Sequence, residues 1–142
     1  MKTCEEIMTP NPVCCLPTDS VMMVAETMLR EDLGSIPVVD SDQSQKVIGI
    51  LTDRDLVLKV MAEGNNPKRT KVEAVMTRKV VSCRADDDVE KAIDSMSKNQ
   101  LRRIIVVNEE NKILGIISQA DVATRVNKSQ KTADLVKDVS QA

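Results

Sequence analysis

The chain carries one nine-residue stretch twice, and this duplication limits the possible folds more than any other feature. The first copy reads VIGILTDRD over residues 47–55, and the second reads ILGIISQAD over residues 113–121. In both copies a largely β-branched run crosses one glycine, reaches a Thr or Ser, and places an Asp three residues later. This pattern is typical of a buried strand that leads into a polar helix start. We therefore expect the same strand-to-helix unit twice.

The repeat extends well beyond this stretch. Met8-Thr9 recurs 68 residues later as Met76-Thr77, and the alignment continues without a gap from Glu5/Glu73 through Val39/Val107. Identical pairs along it include Val13/Val81, Cys15/Cys83, Asp19/Asp87, Val21/Val89, Met28/Met96, Leu33/Leu101, Ile36/Ile104 and Val38/Val106. Such self-similarity indicates internal duplication. We place the first domain at residues 1–66, the second at residues 67–127, and a tail at residues 128–142.

Each copy predicts the element order β-α-β-β-α. In the first copy we expect strands at 13–16, 36–39 and 47–51, with helices at 21–31, ended by Gly34, and at 53–62. In the second we expect strands at 80–83, 103–107 and 113–117, with helices at 88–98 and 119–126. Three short strands cannot bury both faces alone, so the copies should pack into one α/β (α+β) body. For the tail, a docking helix and a disordered segment both remain open.

Composition excludes several functions. The chain has no histidine, so it can build neither a Ser/His/Asp triad nor a histidine metal site, and we expect no metal. It has no Phe, Tyr or Trp on which bases could stack, and its net charge is −2. The basic cluster at 67–71 is explained by a solvated loop, so we expect no nucleic-acid partner. No apolar run predicts a membrane span. We expect a cytoplasmic protein that is not an enzyme.

The four cysteines are Cys4, Cys14, Cys15 and Cys83. None forms a C-x-x-C pair, and Cys15 and Cys83 occupy equivalent places in the two copies. Small buried side chains in a reducing compartment explain them. A redox or disulfide role is the alternative.

Thr52-x-x-Asp55 and Ser118-x-x-Asp121 each lie where a strand ends and a helix begins. Free N–H groups and a hydroxyl at a helix start suit a phosphate, and a carboxylate one turn in can accept both hydroxyls of a ribose. The combination would suit a nucleotide. The same spacing is also the capping box, which only satisfies the helix's own donors. Recurrence in both copies does not separate the two interpretations, because a duplicated cap would also recur.

Taken together, the chain resembles a tandem pair of cystathionine-β-synthase (CBS) domains, often called a Bateman module. In the first copy the resemblance rests on Met8-Thr9 with Val13, on residues 34–40 (GSIPVVD), and on residues 49–55 (GILTDRD). In the second it rests on Met76-Thr77 with Val81, on residues 101–108 (LRRIIVVN), and on residues 115–121 (GIISQAD). It covers the chain from about Glu5 to Val126.

The resemblance implies two β-α-β-β-α repeats packed with pseudo-two-fold symmetry, with two clefts that bind AMP, ADP, ATP or S-adenosylmethionine. In the first cleft, Ser118 would lie near phosphate, Asp121 on ribose, and Arg102 or Arg103 at the phosphates. Its other lining residues would be Met8, Thr9, Val13, Leu33, Gly34, Ser35 and Ile116. The second cleft would be built from Thr52, Asp55, Arg54, Thr77, Val81 and Leu101.

We favour the first cleft, because Gly34 and Ser35 leave room for a ring where the second cleft has Arg102 and Arg103. Ile105 also departs from the proline that the family pattern has there, present in the first copy as Pro37. For the two arginines, solvated surface charge is the alternative.

Two hypotheses about function follow. The first is a sensor that binds an adenosine nucleotide and signals through shape or oligomeric state. Family resemblance implies a homodimer, and the signal would pass either through that dimerisation or to a separate effector protein. The second is a ligand-independent protein–protein interaction module. Catalysis is a weaker third, because the chain has no positioned base beside a Ser or Cys and no Gly-rich Walker loop.

Overall fold

A computed structural model describes residues 2–126, and these form two compact units. Unit one comprises residues 2–12 and 81–126, and unit two comprises residues 13–80. The compact units therefore differ from the sequence repeats, since residues 2–12 fold with the second repeat and residues 67–80 fold with the first. The tail predicted at residues 128–142 lies outside the described residues.

The helices and strands follow the order of the repeats. Numbered along the chain, they are α1 Cys4–Ile7, β1 Thr9–Pro10, α2 Val21–Glu31, β2 Ser35–Val39, β3 Val47–Thr52, α3 Asp53–Asp55, a π-helical segment Leu56–Met61, α4 Val72–Val75, β4 Ser82–Arg84, α5 Val89–Asn99, β5 Arg103–Val107, β6 Ile113–Ser118 and α6 Gln119–Arg125. The short helices α1 and α4 were not expected, and they lie at equivalent positions of the two copies.

Unit one contains a four-stranded sheet in the order β1-β6-β5-β4. Strand β4 runs parallel to β5, and the other neighbours are antiparallel. Strand β5 is buried from Ile104 to Val107, whereas β6 alternates buried and half-buried residues, as a strand with one face on the core should. Helix α5 contributes Ala92, Ile93 and Met96 to that core.

Unit two has the same arrangement in reduced form. Strands β2 and β3 form an antiparallel pair with the register of β5 and β6. A parallel bridge joins Cys15 to Val38, where unit one has β4 beside β5, and an antiparallel bridge joins Ile50 to Thr77, where unit one has β6 beside β1. The two units are thus duplicates in structure as well as in sequence, which confirms the expected mixed α/β class.

Two predicted strands and one predicted helix stop were wrong. The stretch 13–16 forms no strand beyond the single bridge at Cys15, and the strand expected at 80–83 lies instead at Ser82–Arg84. Helix α2 ends at Glu31 as predicted, but the residue that ends it is Asp32, which adopts a left-handed conformation with φ of 55°, rather than Gly34. The short polar side chain of Asp tolerates this conformation, so no glycine is needed there.

The helix predicted at 53–62 forms, but not as a regular α-helix. It starts with three α-helical residues and continues as the π-helical segment Leu56–Met61, and beyond this segment the amide of Ala62 donates to the carbonyl of Val57 at 2.8 Å. The equivalent helix α6 is regular over Gln119–Arg125. π-helical turns are rare and cannot be recognised from hydrophobic periodicity.

Between residues 2 and 126, no helix combines the length and the apolar character needed to cross a bilayer.

Candidate functional site

The start of helix α6 holds a closed capping box. The Asp121 amide donates to Ser118 Oγ at 3.2 Å, and the Ser118 amide donates to Asp121 Oδ2 at 2.9 Å. The Ser118 hydroxyl also donates to Asp121 Oδ2, at 3.1 Å. Ser118 and Asp121 therefore do cap helix α6, as the capping interpretation predicted. A carboxylate has about four acceptor positions, so capping leaves Asp121 with further capacity.

Strand β1 brings Thr9 to this carboxylate across 112 residues of sequence. The Thr9 hydroxyl lies 3.3 Å from Asp121 Oδ1 and 3.4 Å from Oδ2, both long for a hydrogen bond between oxygens. Strand pairing fixes the approach, because Thr9 lies opposite Ile116. The site therefore consists of the Asp121 carboxylate, the capping residue Ser118, and the Thr9 hydroxyl, which is held only weakly.

Gly115 allows this approach. A Cβ at Gly115 would lie 2.8 Å from the Thr9 carbonyl oxygen and 2.5 Å from Met8 Sδ, both far inside contact distance. Gly49 has the same role in unit two, where a Cβ would lie 3.1 Å from the Thr77 carbonyl oxygen. The glycine in each repeated stretch is thus explained by close backbone packing.

The basic residues of the prediction lie at the start of strand β5. Arg103 pairs in register with Ser118, and directly opposed residues of an antiparallel pair project from the same face. Arg103 is half-buried, whereas Arg102 is exposed and its carbonyl accepts the Gln119 amide at 3.1 Å. Arg103 is therefore the better placed of the two to meet a ligand bound at Ser118.

Unit two builds the matching cluster around Asp55. The Asp55 amide donates to Thr52 Oγ1 at 3.0 Å, the Thr52 amide donates to Asp55 Oδ2 at 3.0 Å, and the Thr77 hydroxyl lies 3.2 Å from Asp55 Oδ1. The structure thus brings together Thr52, Asp55 and Thr77 in one unit, as it does Ser118, Asp121 and Thr9 in the other. Arg54 is exposed and lies next to this cluster in sequence.

The two clusters differ in their charge balance. Lys59 Nζ lies 3.0 Å from Asp55 Oδ1, and Asp55 is only 7% exposed. At the equivalent place in unit one, Arg125 instead donates to the carbonyls of Ile7 and Met8. Within residues 2–126, no ion pair reaches Asp121. The carboxylate of unit two is neutralised and buried, whereas that of unit one is half-buried with its charge unmatched.

Sequence reasoning did not single out Lys59 or Arg125. Lys59 follows Asp55 by four residues on one helix, a spacing at which opposite charges meet, and this signal could have identified the pair. The same spacing separates Arg125 from Asp121, so sequence alone would have predicted two equal pairs.

Asp55 pairs with Lys59, whereas Asp121 forms no ion pair within residues 2–126, so replacing the two aspartates should lower stability by different amounts. Asp55→Ala removes the cap partner of Thr52 and the ion-pair partner of Lys59, so we expect the free energy of unfolding to fall by about 1–2 kcal/mol. Asp121→Ala removes a cap without an ion pair and should cost less. Urea unfolding followed by far-ultraviolet circular dichroism measures both, since the chain lacks aromatic residues. Equal losses, or a larger loss for Asp121→Ala, would contradict the assignment.

The remaining predicted residues belong to other parts of the two units. Val13, Leu33, Gly34 and Ser35 lie in unit two, with Ser35 in register with Thr52. Val81 and Leu101 lie in unit one, where both pack against the core. Whether either group joins a cluster of the other unit in a cleft stays a prediction.

No metal site emerges from the part of the chain that the structure describes. Across residues 2–126, no group of three or more His, Cys, Asp or Glu side chains is placed to hold a metal ion.

Comparison with known proteins places this geometry in a family. The sequence profile described as "CBS domain" matches residues 4–62 and again residues 72–128. The uncharacterized protein YlbB of Bacillus subtilis (strain 168) is 33% identical over 141 residues, which cover 99% of this chain and 93% of YlbB.

Solved structures show the same fold. The crystal structure of Hypoxic Response Protein I, which has two coordinated zinc ions, superposes with a TM-score of 0.79 at 26% identity, covering 88% of this chain and 99% of that one. The CBS domain pair of protein MJ0100, in complex with 5-methylthioadenosine and S-adenosylmethionine, superposes with a TM-score of 0.73 at 24% identity, covering 87% of this chain and 94% of that one.

Proposed function

Because the chain belongs to the CBS domain family, as a tandem pair, we propose that it is a regulatory protein that binds an adenosine nucleotide around Asp121 and signals by a change of shape or oligomeric state. The observation that carries this proposal is the half-buried Asp121 carboxylate, to which no ion pair is formed within residues 2–126. A role in regulation rather than catalysis is part of the proposal.

Asp121 has the properties that a ribose requires. The two hydroxyls of a ribose are neutral donors, and a carboxylate can accept both at once. The Thr9 hydroxyl now lies 3.3 Å from Oδ1 and would be replaced at little cost by a shorter bond from ribose. Asp55 suits this role less well, because Lys59 already occupies one of its oxygens and burial restricts access to it.

Ser118 and Arg103 would hold the phosphate. Their Cα atoms are partners across β5 and β6, so the hydroxyl and the guanidinium start from the same place on the sheet. A guanidinium pairs with two phosphate oxygens through its planar fork. The positive charge of Arg103 also predicts a ranking of ligands. AMP, ADP and ATP carry negative phosphates and should bind more tightly than S-adenosylmethionine, whose sulfonium is positively charged.

The fold is compatible with such ligands, since the CBS pair of MJ0100 holds two adenosine compounds. At 24% identity the similarity to MJ0100 concerns the fold alone. The ligand proposed for this chain is therefore argued from its own residues.

Differential scanning calorimetry tests the proposal without an optical probe. A ligand that binds only the folded state at 100 times its Kd stabilises that state by about 2.7 kcal/mol. We expect AMP, ADP and ATP to raise the unfolding temperature. 2′-Deoxy-AMP is the matched control, since it keeps the base and phosphate but lacks one of the two hydroxyls assigned to Asp121, and it should raise the unfolding temperature less. A transition that none of the adenosine nucleotides shifts would contradict the proposal and favour the ligand-independent interaction module.

Signalling requires that the ligand prefer one state of the protein over another. Since the proposed role is regulatory, the state must be read by a second molecule, either a separate effector protein or another copy of this chain. Unit two offers apolar side chains for such contact: Leu29 is 86% exposed and Met61 is 77% exposed. We take a second copy as the first candidate, which gives a homodimer.

The homodimer can be tested at those two positions. In the double variant Leu29→Glu/Met61→Glu, charge replaces apolar surface, so dimers that use it should dissociate to monomers. Light scattering after size-exclusion chromatography measures the change. Lys98→Glu on the exposed face of α5 is the control and should keep the mass of the unmodified protein. An unmodified protein that is monomeric at every concentration, or a double variant that remains dimeric, would contradict this interface.

A further inference from the structure

Unit one brings two cysteines together that are far apart in sequence. Cys4 and Cys83 both belong to its core, with exposures of 0% and 6%. Their side chains lie close enough to interact in that core, and the Cys4 thiol donates to the Asp88 carbonyl at 3.9 Å. Neither residue takes part in the candidate nucleotide site.

The backbone around the pair fixes this contact. The Cys4 amide donates to the Asp87 carbonyl at 2.9 Å, and the Glu5 amide donates to the Ala85 carbonyl at 3.0 Å. Both carbonyls belong to the turn that directly follows strand β4, which carries Cys83. Residues at the start of α1 are therefore bound, by two backbone hydrogen bonds, beside the strand of the second cysteine.

The duplicated unit shows that the pair is not required by the fold. By the 68-residue offset, Cys83 corresponds to Cys15 and Cys4 corresponds to Val72. Val72 is fully buried in the core of unit two, as Cys4 is in unit one. A valine therefore fills this position equally well, and the thiol at position 4 adds chemistry that packing does not need.

From this cluster we propose that Cys4 and Cys83 form a reversible disulfide, so that unit one carries a thiol switch. The oxidant is a low-molecular-weight disulfide such as oxidised glutathione. The Cys4 thiolate attacks one of its sulfurs and releases one small thiolate, leaving a mixed disulfide on Cys4. The Cys83 thiolate then attacks the Cys4 sulfur and releases the second small thiolate. Two protein thiols are oxidised and one small disulfide is reduced to two thiols.

The surroundings favour Cys4 as the attacking group. The interaction with Cys83 lowers the pKa of Cys4 and raises the pKa of Cys83, so Cys4 attacks first. Once Cys4 is in the mixed disulfide, this interaction no longer holds the proton on Cys83, which can then attack in turn. Burial raises the pKa of Cys14 to about 11 and that of Cys15 to about 12, so these two thiols should react slowly. Access to Cys4 requires local opening of the four-residue helix α1.

Oxidation would have a structural consequence at the other end of α1. Helix α1 spans Cys4–Ile7, and the chain reaches Thr9 two residues later. A covalent bond from Cys4 to β4 would hold this segment on unit one and slow its release. The proposal does not depend on nucleotide binding.

The proposed disulfide can be tested by redox titration of a variant that keeps only Cys4 and Cys83. In the double variant Cys14→Ser/Cys15→Ala only Cys4 and Cys83 remain. After equilibration with oxidised glutathione we expect both free thiols to disappear and the intact mass to fall by about 2 Da, the two hydrogens lost with the disulfide. Reduced glutathione in excess should reverse both changes. Cys4→Val in the same background, chosen to match Val72 of unit two, is the control and should keep Cys83 reduced or as a glutathione adduct.

The disulfide can also be located in the unmodified protein, so this second test does not depend on the folding of any variant. Trypsin should release the peptide of residues 3–30 cross-linked to that of residues 80–84, and fragmentation should place the bond on Cys4 rather than on Cys14 or Cys15. In the two-cysteine variant, two free thiols after oxidation or glutathione on both cysteines would overturn the proposal. A cross-link at Cys14 or Cys15 in the unmodified protein would overturn it as well.

Discussion

Replacing Asp121 with alanine is expected to weaken the binding of AMP at least tenfold, or by about 1.4 kcal/mol of binding free energy. The carboxylate is the group we assign to the ribose hydroxyls, and without it those donors lose an ionised acceptor. Isothermal titration calorimetry on the variant and the unmodified protein measures the ratio of the two Kd values directly.

The duplicated cluster provides the matched control. Asp55→Ala removes the same kind of carboxylate from the same kind of cap, but one that is buried and already paired with Lys59. It should cost stability while leaving the affinity for AMP within about twofold, because it lies outside the favoured site. If Asp121→Ala left the affinity for AMP unchanged and Asp55→Ala greatly reduced it, the nucleotide site would lie in unit two instead. Unchanged affinity in both would contradict an Asp-bound ribose.

The second large effect is expected at Gly115. Gly115→Ala would place a Cβ 2.8 Å from the Thr9 carbonyl oxygen, and this is backbone that cannot move aside as a side-chain end can. Strand β1 must shift away from β6, so we expect a loss of about 1–3 kcal/mol in the free energy of unfolding. The displaced Thr9 should also leave Asp121. Urea unfolding measures the first effect, and hydrogen exchange of the Thr9 and Ile116 amides measures the second.

Two other glycines calibrate this result. At Gly49 the Cβ would meet the Thr77 carbonyl oxygen at 3.1 Å, and at Gly34 its nearest neighbour would be the Asp53 side chain at 3.4 Å. The stability losses for alanine should therefore decrease from Gly115 to Gly49 to Gly34. A loss at Gly34 as large as that at Gly115 would contradict close approach as the cause, because alanine at an unstrained glycine restricts the unfolded chain and should not destabilise the fold.

Much of the fold could be predicted from periodicity and duplication. Strand β5 was expected at its observed bounds, and helix α2 at its observed start and end, because their burial patterns are regular and a serine caps the helix. The turn residue Asp32 was missed because a left-handed conformation at a non-glycine residue leaves no periodic signal. The π-helical segment was missed because its apolar residues also fit an α-helix.

The grouping of residues 2–12 with unit one follows from long-range contacts that local sequence does not contain. Strand β1 has only two residues, too few for a strand pattern, and it exists because Thr9 and Pro10 pair with β6. The family resemblance placed Thr9 near Asp121, whereas composition and spacing alone would have kept it with the first repeat.

The asymmetry between the clusters was likewise beyond sequence reasoning. Lys59 and Arg125 occupy equivalent positions four residues after an aspartate, yet Lys59 reaches Asp55 while Arg125 is held by the carbonyls of Ile7 and Met8. The longer, planar guanidinium can span two carbonyls, and the choice between carbonyl and carboxylate depends on side-chain geometry. The preference for the unit-one carboxylate was predicted on other grounds, from the space at Gly34 and Ser35.

Nucleotide binding is tested most directly by isothermal titration calorimetry of the unmodified protein with AMP, ADP, ATP and S-adenosylmethionine. Calorimetry suits a chain without Phe, Tyr or Trp, which has no intrinsic fluorophore to report binding. We expect saturable heats for the three nucleotides and weaker binding of S-adenosylmethionine. Heats of dilution alone for all four compounds would contradict it, and Ser118 and Asp121 would then serve only to cap helix α6.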